Sequence, residues 1–279
     1  MKLYISSDME GSTGVVSPAQ VDPKSPLYTF GCGMQYHDTL AVVNAALRWG
    51  VEKVIVNDAH WTMTNFSVAG ASFPDGVELI SGTPKLLGMV EGVNNADVAF
   101  FLGYHAMAGT EKAVLDHTYS FGTIYEMSVN GRKLGETGLN ALFCGALGVP
   151  VAMISGDQAL SAEARSLLGS ELVTCELKEG LGRTSALTLP PETTASLLGA
   201  ACQDALEKAA ASKSPKFLLD APYTMDVSFH STHQADFAAL IPGCARIAGR
   251  TLRFETDDVF ELRRFICTAM DVASQAPLD

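Results

Sequence analysis

The sequence predicts an α/β protein, with a mainly parallel sheet flanked by helices over residues 1–212 and a smaller α+β portion over residues 213–279 packed on it. Apolar runs suited to strands buried on both faces, such as Val54-Ile55-Val56 and Val98-Ala99-Phe100-Phe101-Leu102, alternate with helical segments, the order that builds parallel strands joined by crossover helices. Polar residues follow the C-terminal ends of those runs, where open parallel sheets place their ligand sites. The chain has 279 residues and is 47% hydrophobic, enough for a substantial core.

The first strand is Lys2-Leu3-Tyr4-Ile5-Ser6, and it runs into Asp8-Met9-Glu10-Gly11. In extended backbone residues i and i+2 point the same way, so Asp8 and Glu10 converge just past the strand, while Gly11 and Gly14 let the chain turn away. Such a pair suits a cation, and equally it suits a turn. Val15 to Cys32 carries three prolines and reads as a loop over the first strand. Gly31-Cys32-Gly33 lacks the third glycine and the leading strand of a dinucleotide fingerprint. From Met34 to Trp49 apolar Tyr36, Leu40, Val43 and Leu47 recur at helical spacing, with Gly50 as the stop. The strand Lys53 to Val56 then delivers Asn57-Asp58-Ala59-His60 to the edge that carries Asp8 and Glu10.

Thr62 to Gly76 reads as a loop, followed by a short strand around Glu78 to Ile80 and a helix from Pro84 to about Val90. The strand from Asp97 to Gly103 ends in Tyr104-His105, a second histidine leaving an apolar strand. Residues 106–122 read as a loop containing His117. Asn130-Gly131 marks a hairpin between Tyr125–Val129 and Arg132–Leu134, because both turn residues tolerate positive φ. Glu136 opens a helix to about Leu147, where its carboxylate meets either a ligand or only the helix dipole.

Val149 to Ile154 is a further strand, Asp157 caps a helix from Gln158 to Leu168, and Glu171 to Leu177 returns as a strand. Gly180 to Leu187 reads as a glycine-containing loop with Arg183, and Pro190-Pro191 starts an alanine-rich helix to about Ala211. The tail holds strands near Met225–Phe229 and Arg250–Glu255, a short helix near His233–Leu240, and a last helix behind a capping box at Asp258 and Glu261. His230 and His233 read as surface histidines.

Composition excludes several classes. Nineteen Lys and Arg against 31 Asp and Glu give a net charge of −12, which leaves nucleic-acid binding without electrostatic support. No apolar run reaches the ~20 residues of a membrane span, and Asp8 and Glu10 interrupt any signal-peptide plan, so the expected location is the cytoplasm. Six scattered cysteines without a Cys-x-x-Cys pair suit reduced thiols.

A parallel sheet brings Asp8, Glu10, His60 and His105 to one edge, with Glu136 and His117 nearby. Three carboxylates and two or three imidazoles suit zinc, or another borderline divalent ion, better than calcium or magnesium. Five ligands are too many for one catalytic zinc with an open position, and fit a pair of metals ~3.5–4 Å apart. No Gly-x-Ser-x-Gly elbow, phosphate-binding loop or His-Glu-x-x-His helix competes.

Ser6-Ser7-Asp8-Met9-Glu10-Gly11, Val56-Asn57-Asp58-Ala59-His60, Leu102-Gly103-Tyr104-His105-Ala106 and Gly135-Glu136-Thr137-Gly138-Leu139-Asn140-Ala141 together resemble the DppA-type D-aminopeptidases, zinc peptidases of bacteria. The likeness continues through Arg183-Thr184-Ser185-Ala186 and Leu240-Ile241-Pro242-Gly243, over nearly the whole chain. It implies two zinc ions per subunit on Asp8, Glu10, His60, His105 and Glu136, with Asp8 as bridge and His117 as the catalytic histidine. It also implies a homodecamer of two stacked five-membered rings whose sites face an internal channel, which restricts substrates to short peptides. On chemical grounds His117 suits a proton shuttle or oxyanion donor better than a nucleophile, since metal-bound water is itself nucleophilic near neutral pH. The expected reaction is removal of an N-terminal residue, of D configuration, from short peptides. Two rivals stand beside it: a related hydrolase acting on L-peptides, amino-acid amides or cell-wall peptides, and a non-catalytic metal-containing binding protein.

Overall fold

The computed structural model describes residues 1–276. The chain opens with β1 (Lys2–Ser7), a single-turn helix α1 (Pro18–Val21) and the long helix α2 (Tyr28–Trp49). Next come β2 (Lys53–Asp58), α3 (Asn65–Val68), β3 (Val77–Ile80) and β4 (Val98–Leu102). The hairpin β5 (Ile124–Val129) and β6 (Arg132–Lys133) leads into α4 (Glu136–Ala146), β7 (Val151–Asp157) and α5 (Gln158–Leu168). After β8 (Val173–Gly182), β9 (Ser185–Thr188) and α6 (Pro191–Ala210), the tail supplies β10 (Tyr223–Phe229), α7 (Thr232–Ala238), β11 (Cys244–Ala248), β12 (Thr251–Thr256) and α8 (Val259–Ala273).

The main sheet has the order β3-β2-β1-β4-β7-β8-β9, parallel except for the last pair. A second, antiparallel sheet has the order β11-β12-β10-β5-β6, so it takes strands from both sides of residue 212. In the main sheet side chains alternate between two cores. Leu3, Ile5, Val54, Val56, Phe100 and Leu102 pack toward α2 and α6, while Tyr4, Ile55, Ala99 and Phe101 pack toward α4, the second sheet and α8. Each of the buried leucine, isoleucine, valine and phenylalanine side chains contributes roughly 1.5–3 kcal/mol. The expected fold class, a mainly parallel sheet flanked by helices, is the fold observed.

Register positions the site. Ser7 pairs with Asp58 on one side and with Leu102 on the other, so β1, β2 and β4 end level and their following residues emerge side by side. No helix among the described residues is long and apolar enough to cross a membrane. All six cysteines are free.

Four local expectations need correction. Helix α2 begins at Tyr28 rather than Met34, and α1 interrupts the expected loop. The helix expected from Pro84 does not form: Gly88 takes φ +54, outside the helical region, and only a 3-10 turn over Gly88–Val90 remains. Gly180 to Leu187 is a β8–β9 hairpin, not a loop. Asp258 caps α8 through Phe260 N, but Glu261 turns to Thr256 instead of closing a capping box. The Asn130-Gly131 turn is as expected, with φ 51 and 75.

Candidate metal centre

The three strand ends are pressed together by main-chain hydrogen bonds. Asp8 N donates to Leu102 O at 2.8 Å, Ala59 N to Ser7 O at 2.8 Å and Gly11 N to Gly103 O at 2.8 Å. A Cβ at residue 11 would lie 1.9 Å from Tyr104 O, so only glycine lets the segment bearing Asp8 and Glu10 lie this close to the one bearing His105. Asp8, Glu10, His60 and His105 are consequently buried side by side, and Glu136 reaches them from the first turn of α4. His117 arrives from the 106–122 loop, its ring stacked between His105 at 3.9 Å and Phe121 at 3.8 Å, centroid to centroid.

The six side chains form two triads, Asp8-Glu10-His60 and His105-His117-Glu136, each with potential ligand atoms within 4.8 Å of one another. Asp8 joins them: Oδ1 lies 3.2 Å from His60 Nδ1, and Oδ2 lies 3.6 Å from His105 Nε2. His60 Nδ1 is also 3.1 Å from Glu10 Oε2, and His105 Nε2 is 3.2 Å from Glu136 Oε1. His117 Nε2 stands 3.7 Å from the same Glu136 oxygen.

All three imidazoles are held by a main-chain carbonyl at the nitrogen facing away from this cluster. His60 Nε2 contacts Val21 O at 2.9 Å, His105 Nδ1 contacts Ala106 O at 3.0 Å, and His117 Nδ1 contacts Leu115 O at 2.9 Å. A carbonyl accepts only from N–H, so these contacts place a proton on the outward nitrogen and turn the other nitrogen toward the carboxylates.

Electrostatics give the same reading. Burial, then the adjacent Glu10, raises the Asp8 carboxyl to about 7. Burial alone would raise Glu10 too, but the surrounding imidazoles, His60 foremost, hold it well below its ordinary value. Burial pulls His105 down, yet Glu136, Glu10 and Asp8 outweigh it and raise the ring to about 10. Burial and the charge on His105 lower His117 to about 4, so this ring is neutral at physiological pH. Protons therefore stand in for positive charge among three buried carboxylates, a charge that a divalent cation could supply in their place.

The polar atoms test that fit. Asp8 Oδ2, both Glu10 oxygens and His105 Nε2 are buried without a hydrogen-bond partner, although imidazole and carboxylate approach closely, because the alignment is wrong for hydrogen bonds. Orphaned atoms of this kind are rare and costly. Nitrogen and oxygen ligand atoms converging on shared space suit metal coordination, and this donor set suits zinc.

Two further contributors carried no legible sequence signal. Lys178, at 3% exposure, sends its ammonium from β8 to Glu10 O at 2.6 Å, Ser12 O at 2.8 Å and Val15 O at 2.5 Å, fixing the segment behind Glu10. Tyr119 N donates to Glu136 Oε1 at 2.6 Å and orients that carboxylate. A cavity of about 530 Å³ opens over the cluster, walled by Trp61, Met63, Met89, Tyr119, Phe121 and Arg263. His230 and His233 lie apart from it: His230 meets the Tyr125 ring edge-on at 5.7 Å, and His233 stacks on Phe237 at 5.2 Å.

A parallel sheet carrying a buried carboxylate–imidazole cluster at its C-terminal edge, beneath a cavity, belongs to the class of α/β folds with a candidate metal site at the strand ends. Within that class the comparison with known proteins is specific. The profile of peptidase family M55, D-aminopeptidase, matches residues 1–268, and the chain belongs to this family. It is 33% identical over 275 residues, 98% of each chain, to a D-aminopeptidase of Bacillus subtilis (strain 168). The solved structure of the Zn-dependent D-aminopeptidase DppA from Bacillus subtilis, a self-compartmentalizing protease, superposes with a TM-score of 0.94 at 31% identity, covering all of both chains.

Proposed function

We propose that this chain is a zinc-dependent D-aminopeptidase with a dinuclear centre, releasing an N-terminal D-amino acid from short peptides. The observation that carries the reading is Asp8, whose two oxygens face imidazoles of different triads. One ion would be held by Asp8, Glu10 and His60, the other by Asp8, His105 and Glu136, in agreement with the ligand set that the family resemblance implies. Bound zinc supplies Lewis acidity for the scissile carbonyl and for water.

The remaining chemistry falls to the chain's own groups. His117 is neutral, its Nδ1–H is engaged by Leu115 O, and its Nε2 faces the cluster. That nitrogen is placed to take a proton from the attacking water and return it to the departing amine. Phe121 and His105 clamp the ring on both faces, so it stays in place during transfer. The cavity, about 530 Å³, has room for a small peptide. The description of the Bacillus subtilis relative as self-compartmentalizing supports assembly of this chain with copies of itself, which we extend to the decamer that the resemblance implies.

The test is the rate of alanine release from D-alanyl-D-alanine and L-alanyl-L-alanine, with and without a strong chelator, alongside the zinc content of the purified protein. Chelator-sensitive release favouring the D isomer is expected. Release from the L isomer alone transfers the reaction without its stereochemistry. Undiminished release after complete metal removal refutes the zinc reading.

A further inference from the structure

Helix α8 turns Val259, Leu262, Phe265, Ile266 and Ala269 into the core, and Arg263 lies among them at 8% exposure. A guanidinium withdrawn from water to this extent normally meets a carboxylate, because an unpaired buried charge is strongly unfavourable. Arg263 meets none among the described residues: its Nε and Nη1 are buried without any hydrogen-bond partner. The guanidinium lies over the ring of Tyr119, whose centroid is 5.6 Å from the guanidinium carbon and whose Oη is also buried and unpartnered. Stacking on that ring does not satisfy the in-plane N–H donors.

Two observations give this group a purpose. First, Arg263 and Tyr119 wall the same cavity as Asp8, Glu10, His60 and Glu136. Second, the backbone makes room for the guanidinium, since a Cβ at residue 88 would lie 2.1 Å from Arg263 Nη2. The positive φ of Gly88 is the conformation that cancels the helix expected after Pro84.

We propose that Arg263, together with Tyr119 Oη, binds the C-terminal carboxylate of a short peptide substrate. The proposal rests on the peptidase reading above. The planar fork of arginine matches a carboxylate bidentately, and the phenol adds a third donor.

The experiment compares kcat/KM of the zinc-loaded protein for D-alanyl-D-alanine and its C-terminal amide. The wild type is expected to favour the dipeptide acid over its amide on the order of 100-fold. Arg263→Gln should bring the ratio to within about threefold, the acid losing far more than the amide, and Arg263→Lys should restore part of it by keeping the charge. Equal cleavage of acid and amide by the wild type overturns the proposal. So does a parallel loss on both substrates in a folded Arg263→Gln protein, which marks the arginine as structural. Calorimetric titration with D-alanine and D-alaninamide separates failure of the proposal from failure of the peptidase reading. A protein without turnover that binds the acid better, and loses the difference in Arg263→Gln, keeps the carboxylate site; equal binding of the two removes it.

Discussion

Substituting Lys178 by methionine separates what holds the fold from what holds the metal ligands. The lysine ammonium satisfies the carbonyls of Glu10, Ser12 and Val15. Ser12 O also accepts from Val15 N at 3.1 Å, so Lys178→Met orphans two carbonyls, those of Glu10 and Val15. At about 1–3 kcal/mol each, the loss is about 2–6 kcal/mol. Against it stands the desolvation of the charge that methionine no longer buries. Burial pulls the Lys178 ammonium down to about 8 from 10.5, a difference of about 3 kcal/mol. The two effects largely cancel, leaving a net destabilisation of at most about 3 kcal/mol. Metal affinity has no such offset, because the segment carrying Glu10 loses its anchor. Zinc affinity measured by chelator competition should fall about 10–100-fold, while denaturant unfolding of the metal-free protein shifts only modestly. Zinc affinity within twofold of wild type refutes the positioning role. A stability loss above about 5 kcal/mol with unaltered affinity makes Lys178 a tie of the fold instead.

Asp8→Asn should strip both ions from dialysed protein, read by atomic emission, and full occupancy would remove the bridge assignment. His117→Ala should retain the zinc content yet lower kcat by about 10²–10⁴-fold; lost zinc would make His117 a ligand, and an unchanged kcat would leave it without a role. Glu163 carries a pH prediction. Burial raises its carboxyl to about 7 from 4.5, against the Met107 N–H that favours the charged form. Between those values the folded chain holds a proton that the unfolded chain has released. The stability contributed is complete below pH 4.5 and is lost as pH rises through 7, a fall of about 3 kcal/mol. Glu163→Gln should therefore gain on wild type progressively from pH 4.5 to 8 in denaturant titrations of the metal-free proteins, whereas parallel stability curves would contradict the shift.

The strands were legible where burial on both faces demands unbroken apolar runs, as in Val98 to Leu102. Where tertiary contacts override local preference, the reading slipped. Helix α2 starts early although its first turns carry Gly31 and Gly33, poor helix formers. Gly31 is there because Gln20 O lies 2.0 Å from where its Cβ would be, a close approach that no helical periodicity encodes. The β8–β9 hairpin was obscured in the same way by Gly180 and Gly182, which lower strand propensity on an edge that ladder pairing still stabilises. Pro84 looked like a helix start because the space claimed by Arg263 from α8 has no trace in the sequence around it.

The candidate ligands were visible because each is a local consequence of a strand or helix ending: Asp8 and Glu10 follow β1, His60 follows β2, His105 follows β4, and Glu136 opens α4. What orients Glu10 and His60 is not local. Lys178 stands 168 residues from the Glu10 carbonyl it binds, and His60 is fixed by Val21, 39 residues away. The anchors of the three imidazoles, moreover, are carbonyls of Val21, Ala106 and Leu115, which belong to the main chain and not to any side chain. Replacing those residues leaves the acceptor in place, so their identity carries no information about the ring they hold. The constraint is conformational instead. Leu115 sits at φ 54, a region a branched side chain adopts only when its surroundings enforce it, and its carbonyl is the one that fixes His117. The 106–122 segment is therefore part of the machinery that presents His117, through its backbone path at Leu115 and through the Phe121 ring that stacks on the imidazole.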